Sequence, residues 1–463
     1  MKNNSAHQLL IVAIIILLSR LPFIFTGFGS EEDAWGLALT AEQIDISGKY
    51  EVSRLPGHPF QEILYSYIYQ HGFLLMNLLT VLISTGGFIC FYLLLANHKV
   101  ANPFYATMAL AFVPVIYINS TNVMDYTWAM SAILCSAYLL SGRQMLLSGI
   151  LLGVAIGCRI TSGAMLLPYI LYLIFDEKKL PVKEILILTL TTLITSLICF
   201  LPVIKTYGIS FFAYYEHFPI PALVKNLYKG TIGVMGTAGS IVLLALLFLS
   251  LRPVLAILKI KDHAHRPLMI MSVCAALLYI IAFARLPLKS AFMIPAMPFL
   301  ILIIVLSMKQ QHVKWLFGSL IISCFFIGVN LTDPNRGSPP SIISYSVKAA
   351  GQMVSFDLLK GPVIADCEKQ KAILDYTAKV IQSEKDIDEY SVVIAGWYLN
   401  FIQYQRKEKP ILPVQYVYYI DEDSIDKYLA NKYHLYYLPL QDQFNDLRFN
   451  MKNTASVADK FPD

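Results

Sequence analysis

Three carboxylates stand side by side at Glu31, Glu32 and Asp33, in the stretch "GFGSEEDAWGLALT" (27–40). They follow an apolar run, where a membrane helix would end, and a helix-like segment begins directly behind them. A carboxylate at the mouth of a membrane cavity can take the proton of an attacking hydroxyl, given reach and a suitable pKa. Asp33 is the better placed, because the amides at a helix start favour an anion. The ordinary alternative is a helix cap, for which Ser30 and Asp33 are common residue types.

The candidate cations follow. Arg54 in "SRLPGHP" (53–59) offers a planar fork suited to phosphate, and Pro56, Gly57 and Pro59 fix an irregular turn around it. Its alternative is a surface contact with lipid headgroups. His58 and Glu62 are lesser candidates beside it. Asp125 in "MDYTWA" (124–129) stands just before an apolar run, as a cap or as a second acid facing the same cavity. Arg159 in "GVAIGCRITSG" (153–163) ends a span among small residues that permit close helix packing, and it requires a counter-anion, either a carboxylate or a lipid phosphate. Arg285 and Lys289 share a short turn in "ARLPLKSAFMIPAMP" (284–298); charges at a membrane edge usually face a cavity or a partner. With Lys205, these cations form a candidate cluster opposite the acids.

The elements that must position these groups are membrane helices. The chain is 56% hydrophobic and 14% charged, with a mean hydropathy of +0.58, outside the range of a water-soluble domain. Apolar runs predict a mainly α, polytopic protein with about eleven spans, at 8–25, 72–95, 103–118, 126–141, 144–160, 163–175, 184–204, 239–258, 267–284, 291–308 and 315–331. Basic residues fall in alternate short loops, at Lys2, Lys99, Arg143, 176–183, 259–266 and 309–314. The positive-inside rule therefore puts those loops in the cytoplasm, and the acids and the C-terminal segment outside. The expectation is a multi-pass protein of the plasma (inner) membrane. Residues 1–333 form its membrane part, with long outer loops at 26–71 and 205–238, and residues 334–463 form a small extracytoplasmic α/β domain. In that domain 361–366, 390–397 and 434–439 read as strands, and 367–383 and 422–431 as helices. In the first outer loop, 34–47 reads as an amphipathic helix at the interface and 63–71 as an aromatic helix.

Taken in order, "SEEDAWGLALTAEQIDISGKYEVSRLPGHPFQE", "MDYTWA", "GCRITSGAMLLP" and "RLPLKSAFMIPAMP" resemble the glycosyltransferase C superfamily. Its members include protein O-mannosyltransferases and the aminoarabinose transferase that modifies lipid A. The resemblance covers roughly residues 8 to 331. It implies a multi-pass enzyme that takes a sugar from a polyprenyl-phosphate donor on the outer face and passes it, with inversion, to a lipid, glycan or protein acceptor. It implies catalytic roles for Glu32 and Asp33 in the first outer loop, Asp33 being preferred as the base, and for Asp125 as the second-loop acid. This chain reads Glu-Glu-Asp where many relatives read Asp-Glu, which leaves open which carboxylate acts. Arg54, His58, Arg159, Arg285 and Lys289 are then the candidate donor-phosphate ligands. Some relatives hold a divalent metal at the acids. Glu32 and Asp33 would be its place here, but no further His or Asp ligand set is evident, so no metal or other cofactor is expected.

Rival readings are a flippase or transporter of lipid-linked sugars, which would favour internal repeats, and a polymerase or ligase of O-antigen type. The net charge of +5 resides largely in the cytoplasmic bias, and no basic, aromatic-interleaved stripe points to nucleic acid. Six of the seven cysteines lie in or at the ends of apolar runs, and their spacing suggests neither a disulfide framework nor a zinc site.

Overall fold

The computed structural model describes residues 2–101, 103–176, 179–209, 223–260, 263–332, 343–349, 352–384, 387, 389–406, 414–418, 420, 422–438 and 457–458. Part of the second outer loop (210–222) and the start of the C-terminal segment (333–342) lie outside these residues. The chain is mainly helical, and it is a multi-pass membrane protein. Among the described residues, five helical stretches are long and apolar enough to cross a membrane: Tyr69–Asn97, Val182–Tyr207, Ile232–Lys259, Arg266–Arg285 and Ser290–Ser307. Leu186, Leu190, Leu193, Leu197 and Leu201 form an exposed apolar ridge on the second of these, a surface that only lipid or a partner can cover.

The other expected spans are shorter or interrupted. The run 126–141 is the helix Tyr126–Ser141. The run 103–118 breaks into Pro103–Ala111 and Pro114–Asn119, because Pro114 has no N–H to continue the first helix. Arg20, fully buried, compensates there: one guanidinium nitrogen donates to the freed carbonyl of Ala111 and Nε to Ser120 Oγ (3.2 Å), while the plane lies 4.2 Å from the Tyr117 ring centroid. The run 163–175 begins as a 3-10 turn, Ile160–Met165, before the helix Leu166–Asp176. The run 315–331 is corrected outright: the helix Gln310–Phe325 ends, and Ile327–Thr332 is strand β1.

Small residues bring two helices into contact behind Arg159. On Met145–Cys158, glycines 149, 153 and 157 share one face. A Cβ on them would meet Thr191 Oγ1 at 1.8 Å, Thr195 Cβ at 2.5 Å and Cys199 Cβ at 2.7 Å. Only glycine permits this approach by Val182–Tyr207. In the first outer loop the amphipathic stretch is the helix Glu32–Ser47, ended by Gly48 in the left-handed region (φ 64°). The aromatic helix lies earlier than expected, at Pro59–Ser66, with a 3-10 turn at Tyr69–His71.

Two sheets occupy the C-terminal segment. Strand β1 pairs antiparallel with β3 (Gln352–Leu358), which also pairs with β2 (Ser344–Ala349). A boundary at 333/334 therefore cuts through this sheet. The second sheet is parallel in the order β5-β4-β6-β7, from Val414–Val417, Ser391–Ile394, His434–Tyr437 and Val457–Ala458. The expected strand at 361–366 is instead the first turn of the helix Pro362–Ser383. Pro362 sits at the first helical position, where its missing N–H costs nothing. Phe28, Trp35, Phe401 and Tyr404 pack ring on ring, so the first-loop helix lies under the C-terminal segment rather than free at the interface.

Candidate functional site

Of the predicted acids and cations, Asp33, Asp125, Arg54, Arg159 and Lys289 meet in one chain of ion pairs. Asp33 Oδ2 contacts Arg54 Nη1 at 2.9 Å and Lys289 Nζ at 2.5 Å. The second terminal nitrogen of Arg54, Nη2, reaches Asp125 Oδ1 at 2.5 Å, and Arg159 Nη1 holds Asp125 Oδ2 at 2.6 Å. Lys289 also binds Glu31 Oε2 at 3.1 Å, and Lys369 approaches the other oxygen of Glu31 at 3.7 Å. Residues from six separate parts of the sequence thus form a continuous array.

Local structure explains each placement. Asp33 lies in the first turn of Glu32–Ser47, where the helix amides favour a negative charge. Asp125 occupies the residue before Tyr126–Ser141 but makes no side-chain cap; its carboxylate turns to the two arginines instead. Arg159 follows the glycine-faced helix in an extended conformation, and its guanidinium lies against the rings of Tyr126 (4.2 Å) and Phe292 (4.8 Å). Glu62 organises the turn that carries Arg54. It is fully buried and accepts hydrogen bonds from Ser53 N (2.8 Å), Ser53 Oγ (2.7 Å), Tyr50 Oη (2.5 Å) and His58 N (3.1 Å).

The charges follow from these partners. Burial works against ionisation of Asp33, but Arg54 and Lys289 overcome it and hold the carboxyl well below the usual range. Asp125 behaves alike under Arg54 and Arg159. Lys289 resists the burial that would lower it, since Asp33 and Glu31 raise it well above its ordinary value. Lys289, with Lys369, holds Glu31 down at about 2 against the opposing effect of burial. His58 Nδ1 lies 3.6 Å from Asp125 Oδ2, yet burial lowers the imidazole, and Nδ1 sits 2.7 Å from the Cys158 carbonyl. It is a neutral ring that donates to backbone. Arg54, Arg159, Lys289 and Lys369 thus face Glu31, Asp33 and Asp125, an excess of one positive charge.

Glu32 does not share this array. Successive helical residues point about 100° apart, so Glu32 turns to the C-terminal segment, where Asn400 Nδ2 donates to its Oε1 at 3.3 Å. It is Glu31 that joins Asp33 on Lys289. Burial and the neighbouring Asp33 charge push Glu32 up to about 8, so it is protonated at neutrality. A carboxyl raised on folding contributes stability that is complete below its unfolded value and is lost as pH rises through its folded value. The protein is expected to lose thermal stability as pH climbs through about 8, and Glu32→Gln is expected to flatten that part of a melting-temperature profile. An unchanged slope in the variant would assign the effect elsewhere.

Arg285 stands apart, exposed at the end of Arg266–Arg285 and in none of the ion pairs among the described residues. Lys205 is also exposed; it lines a groove of about 630 Å³ with Lys49, Tyr50 and Leu201. Sequence reasoning missed the C-terminal contribution. The Asp366 carboxylate accepts from Ser30 Oγ and, at 3.4 Å, from Asn122 Nδ2, and so ties together the two loops that carry Asp33 and Asp125. Nothing in the spacing of residues this distant signals the contact. Among the described residues no group of three or more His, Cys, Asp or Glu side chains is arranged to hold a metal ion.

Residues 56–205 match the family described as dolichyl-phosphate-mannose-protein mannosyltransferase, a stretch that contains His58, Asp125 and Arg159. No curated protein matches the chain. Among solved structures, ArnT from Cupriavidus metallidurans is similar in its apo state (TM-score 0.44, 13% identity) and bound to undecaprenyl phosphate (0.43, 14%), each over 66% of this chain and 60% of that one. The oligosaccharyltransferase of Archaeoglobus fulgidus, tethered to an acceptor peptide, is similar with a TM-score of 0.48 and 12% identity, over 87% of this chain and 63% of that one. The chain thus spans less than two thirds of the length of these proteins. The resemblance to the glycosyltransferase C superfamily stands, carried by the match of residues 56–205 to the dolichyl-phosphate-mannose-protein mannosyltransferases.

Proposed function

We propose that the protein is a membrane glycosyltransferase that moves a sugar from a polyprenyl-phosphate donor to an acceptor hydroxyl on the outer face of the membrane, with inversion. The observation that carries this reading is the joining of Asp33, Arg54, Asp125, Arg159 and Lys289 in one continuous, partly buried array with Asp125 buried at its centre. The oxygen of the acceptor hydroxyl attacks the anomeric carbon, the bond from that carbon to the phosphate oxygen breaks, and the hydroxyl proton passes to Asp33. The lipid phosphate leaves with the bonding pair, and its charge requires cations that are already oriented. Lys289 and Arg54 supply them.

Held by Arg54 and Lys289 alone, Asp33 is too strongly paired to be a good base. A phosphate drawn to Lys289 and Arg54 competes with Asp33 for both. Its arrival weakens their hold and raises the carboxyl toward a useful basicity, so that donor binding prepares the base. Asp125 orients Arg54 and Arg159 and stays ionised. Because Lys289 and Arg54 already occupy the Asp33 carboxylate, these side chains take the place in which a divalent ion at Glu32 and Asp33 would act, and we assign no metal.

Lys289→Met tests the donor assignment. A charge-assisted hydrogen bond contributes about 1.5–3 kcal/mol, so the KM for a lipid-phosphate sugar in reconstituted vesicles is expected to rise about ten-fold or more, with the KM for acceptor unchanged. Unaltered donor kinetics would remove Lys289 from phosphate binding.

A further inference from the structure

The three-stranded sheet β1-β3-β2 is amphipathic, with its apolar side outward. Residues paired across antiparallel strands share a face. Val329, Phe356 and Tyr345 form one row, and Leu331, Val354 and Val347 the next. Ile327 and Leu358 extend this face. The opposite face carries Asn330, Ser355 and Ser346, with Gly328, Asp357 and Ser344 beside them. In a water-soluble sheet the apolar rows would be buried and the polar rows exposed. Here Tyr345 is 70% exposed, Leu358 51% and Phe356 42%, Val329 on β1 being covered at 7%, whereas Ser355 and Asp357 on the central strand are 7% and 8%. Polar contacts bury the β3 side of the opposite face, where Asn330 Nδ2 donates to Asp357 Oδ2 at 3.2 Å and the hydroxyl of the exposed Ser346 on β2 meets that of Ser355 at 3.1 Å.

The surroundings of the sheet identify what covers it. Strand β1 starts one residue after the helix Gln310–Phe325 and packs beside Ile232–Lys259, a helix long enough to span, whose Ile241, Leu244 and Phe248 are exposed. The short helix Leu223–Gly230 leads into that span, and its Tyr228 donates to Val329 O at 2.6 Å. Leu223 and Leu227 on it are exposed, with Lys225 between them. The sheet is thus seated, at β1, against a membrane helix and the short helix that leads into it, and each of the three elements carries exposed apolar side chains. Aromatic residues at such a boundary suit the headgroup level.

We propose that the apolar face of β1-β3-β2 docks on lipid at the outer membrane surface, as a platform that keeps the C-terminal segment seated over the acidic loop. Phe356, Leu358 and Tyr345 enter the boundary between headgroups and acyl chains, and the Ser346 side of the sheet faces away.

Two reporter variants of the full chain in phosphatidylcholine vesicles test this, each read as the tryptophan emission added over the parent protein. Tyr345→Trp is expected to be quenched about two-fold or more by phospholipids brominated high on the acyl chain, in keeping with shallow interfacial insertion. Ser346→Trp, one residue along and on the opposite face, is expected to respond to acrylamide and not to brominated lipid. Quenching of Trp at 345 by acrylamide alone would mean an open aqueous face and would overturn the proposal. Resistance to both quenchers would mean cover by a second copy or another protein and would overturn it equally, as would equal lipid quenching at both positions.

Discussion

Asp125→Asn is expected to destabilise the protein by about 3–5 kcal/mol and to abolish transfer, because it strands Arg159 and leaves Arg54 with Asp33 as its one carboxylate among the described ion pairs. Asp125 has a 2% exposed side chain, and its two oxygens are divided between Arg54 and Arg159. Asparagine keeps the shape and one acceptor oxygen but no charge. The guanidiniums remain in place, Arg159 held against Tyr126 and Phe292, and among the described residues its one ion pair is the one to Asp125. Chemical or thermal unfolding in detergent reads the loss directly. Removing a stranded cation should recover part of it, so Asp125→Asn combined with Arg159→Met is expected to be more stable than Asp125→Asn alone. Residues in one charge network couple in this way, and a double-mutant cycle isolates the coupling. A single variant as stable as the parent, or two effects that simply add, would show that Asp125 does not hold the arginines together.

How far the site could be read from sequence depended on whether a residue broke a local rule. On the topology that the positive-inside rule predicts, Arg159 ends a span on the outer side, where a cation is out of place, and it has a partner, Asp125. Asp125 before Tyr126–Ser141 offered an ordinary explanation, helix capping, and only coordinates separate the two, since no cap bond forms. Which member of the acidic triplet faces the cations depends on where the helix starts. With the first turn at Glu32, Asp33 faces the array, Glu32 turns to Asn400, and Glu31, outside the helix, shares Lys289. A one-residue shift of the start would exchange these roles, and sequence does not fix a boundary that finely. Asp366 broke no rule. An aspartate in the first turns of a helix is ordinary, and its link to Ser30 and Asn122 is entirely tertiary.

The fold divides along the same line. Runs such as 126–141 have the length and composition of helices, and the structure follows them. The segment 327–332 is as apolar as the end of a span, and hydropathy does not reveal that its backbone pairs with β3. The segment 361–366 has the alternation of a strand, yet Pro362 after Gly361 starts a helix, and Gly361 is small enough for its backbone to lie against Cys324 O.

The second large effect concerns Asp33. Asp33→Asn keeps the size of the side chain and a hydrogen-bonding oxygen for Lys289 and Arg54, so the array should assemble, whereas the capacity to accept a proton is gone. A general base contributes about 10²–10⁴-fold to rate, and a loss within that range is expected in kcat. The donor KM should stay the same or fall, because Lys289 and Arg54 no longer face a competing charge. Transfer of sugar from a lipid-phosphate donor, measured per folded molecule in reconstituted vesicles with parent and Asp33→Asn protein side by side, tests this most directly. A kcat reduced at least about a hundred-fold with donor binding retained is the predicted result; a variant that turns over at the parent rate would contradict the account.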